Sequence, residues 1–249
     1  MLNSNSSRTS ILSQQHSGRD YGISTQKCIE WLDSKSNFSV IYISFGSQNT
    51  IGSSQMLELA KGLEQSGKPF IWVIRPPIGF DLKGEFRSEW LPEGFEERIS
   101  DRKQGLLVRK WAPQLEILRH KSTAAFLSHC GWNSVMEALS QGVPIIGWPL
   151  AAEQAYNAKM MVEEMGVCVD LARGVGSGVM AEEVRKVVEL VSEEGGKGGE
   201  MKRKAVENGE RMKAAMREEG VRKGSSVKAM DDFVSAIVSA AERRRSVRG

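Results

Sequence analysis

The stretch from Ala124 to Gly142 restricts the fold more than any other part of the chain. Ala124-Ala125-Phe126-Leu127-Ser128 is a short apolar run, the pattern of a strand buried on both faces of a parallel sheet. His129-Cys130-Gly131 turns the chain, and Asn133 and Ser134 are expected at the N-cap and first turn of a helix running to about Gln141. Gly142 is placed to end that helix in a left-handed conformation. Strand, glycine turn and helix aim free backbone N–H groups and a positive dipole end at one point, a geometry that binds phosphate. His129, at the strand's carboxyl end, can add a hydrogen bond to the same anion.

The same grammar repeats along the chain. Strands are expected at Ser39 to Phe45, Phe70 to Ile74, Leu106 to Lys110, Pro144 to Gly147 and Val167 to Asp170. Between them, helical patterns cover Thr25 to Asp33, Gly94 to Ile99 and Ala152 to Met165. One helix is capped by Ser53 and Ser54, carries Met56, Leu59, Ala60 and Leu63 on one stripe, and stops at Gly67. Another starts at Pro113 and carries Leu115, Ile117 and Leu118. Gly46-Ser47 is an exit turn, and Pro76 to Pro92 an irregular surface loop. This alternation means a doubly wound α/β layer with right-handed crossovers, whose carboxyl edge holds ligands. Glu182 to Val191 should pack back on the sheet, Gly195 to Gly199 reads as a flexible break, and Met201 to Met216 as a mostly exposed helix. Val227 to Ala240 is a final amphipathic helix before the basic run Arg243-Arg244-Arg245.

The flanks of the central unit add chemistry. Trp111 offers an indole on which a nucleobase can stack, and Gln114 an amide for a base edge or ribose. Glu137 stands one helical turn after Asn133, where a carboxylate would repel phosphate and suits ribose hydroxyls instead. Glu153 and Gln154 follow the next apolar run and suit sugar hydroxyls. Base, ribose, phosphate and sugar partners in one run imply a nucleotide sugar.

That run, WAPQLEILRHKSTAAFLSHCGWNSVMEALSQGVPIIGWPLAAEQ, closely resembles the donor-binding signature of plant UDP-glycosyltransferases, the secondary-product glycosyltransferases of family 1. The resemblance extends from about Gly22 to about Ala240 and includes CIEWLDSKSNFSVIYISFGSQ near the start. It implies an inverting transferase of GT-B fold, of which this chain matches the carboxyl-terminal, Rossmann-like half that binds UDP-sugar. It also implies that Trp111 stacks on uracil, with Ala112 in the same binding set, and that Gln114 serves the base or ribose and Glu137 the ribose. His129, Asn133, Ser134 and Ser47 would hold the diphosphate, and Trp132, Glu153 and Gln154 would face the sugar. Gln154 suggests glucose over galactose. Ala124-Ala125 and Glu153 depart mildly from the signature, where glycine and aspartate are commoner.

The family's general base is a histidine of the amino-terminal half. His16, His120 and His129 are the histidines here, and none occupies its place, so no catalytic residue is assigned. Transfer to a small-molecule acceptor is expected only if an amino-terminal domain is supplied. The alternative is an inactive nucleotide-sugar-binding or regulatory fragment. No Asp-x-Asp pair is present to hold a metal on the diphosphate, so no metal is expected and charge balance falls to the helix end and His129.

Two other glycine motifs fail. Gly62 to Pro69 has Pro69 where a P-loop needs a hydroxyl, and Gly174-Val-Gly176-Ser-Gly178 lacks the third glycine of a dinucleotide fingerprint at its required place. A net charge of +3, with no base-reading motif, argues against nucleic acid. No apolar run approaches a membrane span. Cys28, Cys130 and Cys168 are widely spaced without a ligand pattern, which favours reduced thiols and a cytoplasmic location. The expected division is a Ser-rich linker over 1–21, where a transit peptide is the alternative, the donor-binding domain over 22–240, and a basic tail over 241–249.

Overall fold

The computed structural model describes residues 22–218 and 223–246, the side chains of 244–246 excepted. The Ser-rich lead, with His16, lies outside the described residues, as do the last three residues of the expected basic tail. Six strands form one parallel sheet: β1 (Val40–Ser44), β2 (Phe70–Val73), β3 (Gly105–Val108), β4 (Thr123–Ser128), β5 (Ile145–Gly147) and β6 (Cys168–Asp170). Their order is β3-β2-β1-β4-β5-β6. The chain therefore winds outward from β1 in one direction and from β4 in the other. The β1–β4 register runs from Val40 opposite Thr123 to Ser44 opposite Ser128, with an irregularity between Val40 and Ile41.

Strands β1, β2, β4 and β5 are buried on both faces by alternation of their side chains, and the edge strands β3 and β6 are partly buried. On one face Ile41, Ile43, Phe70, Trp72, Leu127 and Ile146 pack against α2 (Ser53–Ser66), α3 (Phe95–Asp101) and α7 (Ala181–Val191). On the other face Tyr42, Ile71, Val73, Phe126 and Ile145 meet α1 (Thr25–Asp33), α4 (Gln114–Arg119), α5 (Trp132–Ser140) and α6 (Gln154–Met160). The turn Met161–Met165 extends α6 in π-helical form and ends at Gly166, in left-handed conformation.

Several expectations need correction. Ser53 and Ser54 do not cap α2. Gly52 is the N-cap, and the Gln55 side chain accepts the Gly52 N–H. Gly195 to Gly199 is no break. It leads into α8 (Gly196–Ala215), because Gly198 lets that helix start against the Leu190 carbonyl, where a Cβ would collide. Helix α8 is exposed as expected except along one buried stripe. Met201, Ala205 and Gly209 recur every fourth residue and are buried, with Gly209 approaching the Leu139 carbonyl at the end of α5.

Among the described residues, both faces of the sheet are covered by helices. The exposed apolar surface lies instead on α9 (Ser225–Ser246), where Met230, Phe233, Val234, Ile237 and Val238 all face solvent, Phe233 with 61% of its surface accessible. The basic run expected as a tail continues this helix through residue 246. Among the described residues, no helix is long and apolar enough to cross a membrane.

Candidate functional site

The winding reverses between β1 and β4, so a crevice opens at their carboxyl ends. Two turns form its lips. After β1 comes Gly46, in left-handed conformation, then exposed Ser47. After β4 come His129, Cys130 and Gly131. Cys130 is also left-handed, with φ of 62°. That conformation costs a non-glycine residue about 1–2 kcal/mol, so something must hold it. The Cys130 N–H donates to Ser128 Oγ at 3.1 Å, and Asn157 Nδ2 donates to the Cys130 carbonyl at 2.9 Å.

The kink starts α5 earlier than expected. Gly131, not Asn133, is the N-cap, and Asn133 and Ser134 are the second and third helical residues. The first intrahelical bond runs from the Val135 N–H to the Gly131 carbonyl. No side chain caps this end. The N–H groups of Trp132, Asn133 and Ser134 are left pointing along the helix axis into the crevice, with the positive dipole end behind them.

His129 sits between the lips. The residue is 8% exposed, and a Cβ at Gly46 or Gly131 would lie within 2.8 Å of its ring. Burial lowers its pKa, partly opposed by the Glu153 carboxylate, so the imidazole is neutral at pH 7. Nδ1 is buried without a partner. An orphaned acceptor is tolerated better than an orphaned N–H, so the favoured tautomer carries its proton on Nε2. His129 is thus a neutral hydrogen-bond donor.

At the β3 side, Trp111 is half-buried and Ala112 buried, just ahead of α4. Pro113 is the N-cap of α4, so Gln114 opens the helix. The Gln114 amide is oriented from both ends: Tyr42 Oη donates to its Oε1 at 3.1 Å, and its Nε2 donates to Glu137 Oε2 at 2.6 Å. Burial raises the Tyr42 pKa, so the phenol keeps its proton and remains a donor. Gln114 Nε2 also lies 3.5 Å from Ser134 Oγ. This arrangement brings Gln114, Ser134 and Glu137 together, and leaves the second Glu137 oxygen for hydroxyl donors. The Arg75 guanidinium lies over the Trp111 ring, 5.1 Å from its centroid.

On the β5 side, Trp132 and Glu153 are exposed, Trp132 at 46%. Gln154 is not. It is 6% exposed, and its Oε1 accepts the N–H groups of Leu150 and Ala151, both at 2.9 Å. Only Nε2 remains for an outside partner. The loop gains further ties from the Gly174 N–H, which donates to the Pro149 carbonyl, and from Gln55 Nε2, which donates to Val175 and Ser177. The glycine-rich segment 174–178 is therefore a braced loop after the edge strand.

Four residues escaped the sequence reading: Tyr42, Gln55, Arg75 and Asn157. Tyr42 carried one signal, a polar tip inside an otherwise aliphatic strand. His120 is excluded as a base, since its Nδ1 accepts the Ser122 N–H and its Nε2 faces Asp33 at 3.2 Å. Among the described residues, no cluster of three or more His, Cys, Asp or Glu side chains could hold a metal ion. All three cysteines are free and buried.

Comparison with known proteins agrees with this architecture. Residues 22–193 match the family model described as UDP-glucoronosyl and UDP-glucosyl transferase. The chain is 51% identical over 213 residues to UDP-glycosyltransferase 92A1 of Arabidopsis thaliana, covering 85% of this chain and 43% of that protein. Among solved structures, it resembles TcCGT1 in complex with UDP, with a TM-score of 0.77, 36% identity and coverage of 87% and 47% of the two chains. It also resembles Phytolacca americana UGT2 complexed with UDP-2fluoro-glucose and pterostilbene, with a TM-score of 0.74, 38% identity and coverage of 86% and 46%. The chain thus spans under half the length of each of these three proteins. With its family model matched over most of its length and its fold shared with GT-B glycosyltransferases, the chain belongs to the UDP-glucoronosyl and UDP-glucosyl transferase family, in which it corresponds to the carboxyl-terminal half.

Proposed function

We propose that this chain is the UDP-sugar-binding half of an inverting glycosyltransferase that moves glucose from UDP-glucose to a hydroxyl of a small plant-type metabolite. The observation that carries the reading is the uncapped N-terminus of α5, set at the switch point beside a neutral His129. The diphosphate accepts from the Trp132, Asn133 and Ser134 N–H groups and from His129 Nε2, with Ser47 closing the opposite lip. Uracil lies on Trp111 beside Ala112 and Gln114. The ribose hydroxyls donate to the Glu137 carboxylate that Gln114 holds in place. The sugar meets Glu153, the Gln154 amide nitrogen and Trp132. Backbone N–H groups and the helix dipole stabilise the departing UDP, so no metal takes part.

Transfer needs a base at the acceptor hydroxyl. His120 has both ring nitrogens engaged and His129 is buried in the donor lip, so neither serves. The base and the acceptor pocket belong to an amino-terminal domain, and these 249 residues alone bind donor without transferring it. Free buried thiols fit a cytoplasmic setting.

Calorimetry with UDP tests the reading. The wild-type chain should bind, and His129→Ala should bind roughly ten- to a hundredfold more weakly, as expected for loss of a hydrogen bond to a charged group. Equal affinity of the two would remove His129 from the site, and no binding by either would remove the function.

A further inference from the structure

The sequence reading gave Arg75 no role in the site, yet the fold places it inside the nucleotide crevice. Along β2 the side chains alternate. Phe70, Trp72 and Ile74 pack on the α2 face, while Ile71 and Val73 pack on the α4 and α5 face. The same alternation sends Arg75 to the α4 and α5 face, where Tyr42, Gln114 and Glu137 lie. Strand order also sets β2 between β3, which leads to Trp111, and β1, which leads to Ser47. Arg75 spans that interval. Its guanidinium carbon is 5.1 Å from the Trp111 ring centroid, and its Nη1 donates to the Ser47 carbonyl.

The cation is half-buried, yet among the described residues it forms no ion pair with a carboxylate. A partly buried guanidinium without a counter-ion is normally unfavourable. The indole face and the Ser47 carbonyl are its compensation, and both belong to the proposed donor site. A guanidinium held over an indole face by a hydrogen bond restricts the rotation of that ring.

We propose that Arg75 is a positioning residue of the nucleotide site, pinning the Trp111 indole from one face and bracing itself on the Ser47 turn, so that the indole keeps the orientation in which it meets a pyrimidine base. The inference rests on the reading of the crevice as a UDP-sugar site. It predicts that Arg75 acts through Trp111 and leaves the phosphate contacts alone.

The test is a double-variant cycle by calorimetry, with UDP, uridine and inorganic pyrophosphate as probes. Arg75→Met should weaken UDP and uridine by a similar factor, on the order of tenfold, and leave pyrophosphate unchanged. Arg75→Lys keeps the charge but not the planar stack. It should resemble Arg75→Met, and it covers the case in which the methionine variant fails to fold. In a Trp111→Leu background, Arg75→Met should cost less than about twofold. Unchanged UDP affinity in both Arg75 variants would overturn the proposal. So would a loss that persists in full without Trp111, or one that appears equally with pyrophosphate, which would make Arg75 a direct phosphate ligand. A wild-type chain that binds no UDP would overturn the functional reading as well, and that result is visible before any variant is made.

Discussion

The His129 imidazole occupies the space that a side chain at Gly131 would need: a Cβ there would lie 2.5 Å from His129 Nε2. Gly46 makes room on the other side, where a Cβ would lie 2.7 Å from Cε1. The donor lip therefore depends on two glycines, one on each side of the switch point, being smaller than alanine.

Gly131→Ala should accordingly destabilise the chain by about 1–3 kcal/mol, the usual cost of overpacking, and weaken UDP binding at least as much as His129→Ala does. Because the clash is with one side chain, the double variant Gly131→Ala/His129→Ala should recover most of the stability while still binding UDP poorly. Thermal melts read the first effect and calorimetry the second. An unchanged melting temperature for Gly131→Ala would contradict the wedge.

The buried His129 also sets a pH dependence. Its folded pKa is lowered from 6.5 by desolvation, so below that value the unfolded chain binds a proton that the folded chain resists. The stabilisation is thus fully present above pH 6.5 and is lost as pH falls through the folded value. Urea unfolding across this range should show wild type losing stability with acid more steeply than His129→Gln. Parallel curves would mean that the ring is hydrated.

Glu137 and Tyr42 should separate ribose recognition from phosphate recognition. Wild type should prefer UDP to 2′-deoxy-UDP, and Glu137→Ala should shrink that preference, by roughly ten- to a hundredfold if the hydroxyl hydrogen-bonds to the carboxylate. Tyr42→Phe removes only the hydroxyl that orients Gln114. It should cost about two- to tenfold with both nucleotides. Competition binding with the two nucleotides decides, and an undiminished preference in Glu137→Ala would free Glu137 of the role.

Gln154 has two jobs, which makes its substitution informative. Wild type should favour UDP-glucose over UDP-galactose, with Nε2 as the discriminating donor. Gln154→His should lose the hydrogen bonds to Leu150 and Ala151 as well. Affinity for both sugars should fall, together with about 1–3 kcal/mol of stability for two orphaned N–H groups. Competition between the donors in wild type and variant is the measurement. Equal wild-type affinities would deny Gln154 the discriminating role.

Catalysis should require the other half. The purified 249-residue chain should show no measurable transfer to hydroxyl acceptors, and an amino-terminal domain from a relative, fused or added in trans, should restore it. Since nothing described in this chain covers α9, Phe233→Glu/Ile237→Glu should shift stability by no more than about 0.5 kcal/mol. A large loss would mean that α9 folds onto its own domain in solution.

The strands and the central helix were legible because buried parallel strands write themselves as apolar runs, and because Gly142 follows the helix end in left-handed conformation as expected, a conformation that Gly67 and Gly166 share. The candidate site residues that share one helix or one turn could be grouped from spacing alone. What escaped is held through space. Tyr42 reaches Gln114 across 72 residues, and Asn157 holds Cys130 from the next helix. The start of α5 was misplaced because serine and asparagine are good caps in general. Here the left-handed Cys130 and the crowding by His129 select Gly131. An amphipathic pattern announces that α9 has an apolar stripe, but periodicity carries no information about what covers it.

The two lips of the crevice lie more than eighty residues apart in sequence, one in each winding half of the sheet, and meet only through the β1–β4 pair. Long-range pairings of this kind form late and slowly in folding, because the intervening loop must close first. On the proposed function, a half-wound intermediate lacks one of the two lips and should not hold a diphosphate. Nucleotide binding becomes a reporter of the completed sheet, and UDP should act on this chain as a folding ligand, protecting the core strands from hydrogen exchange globally instead of only the loops it touches.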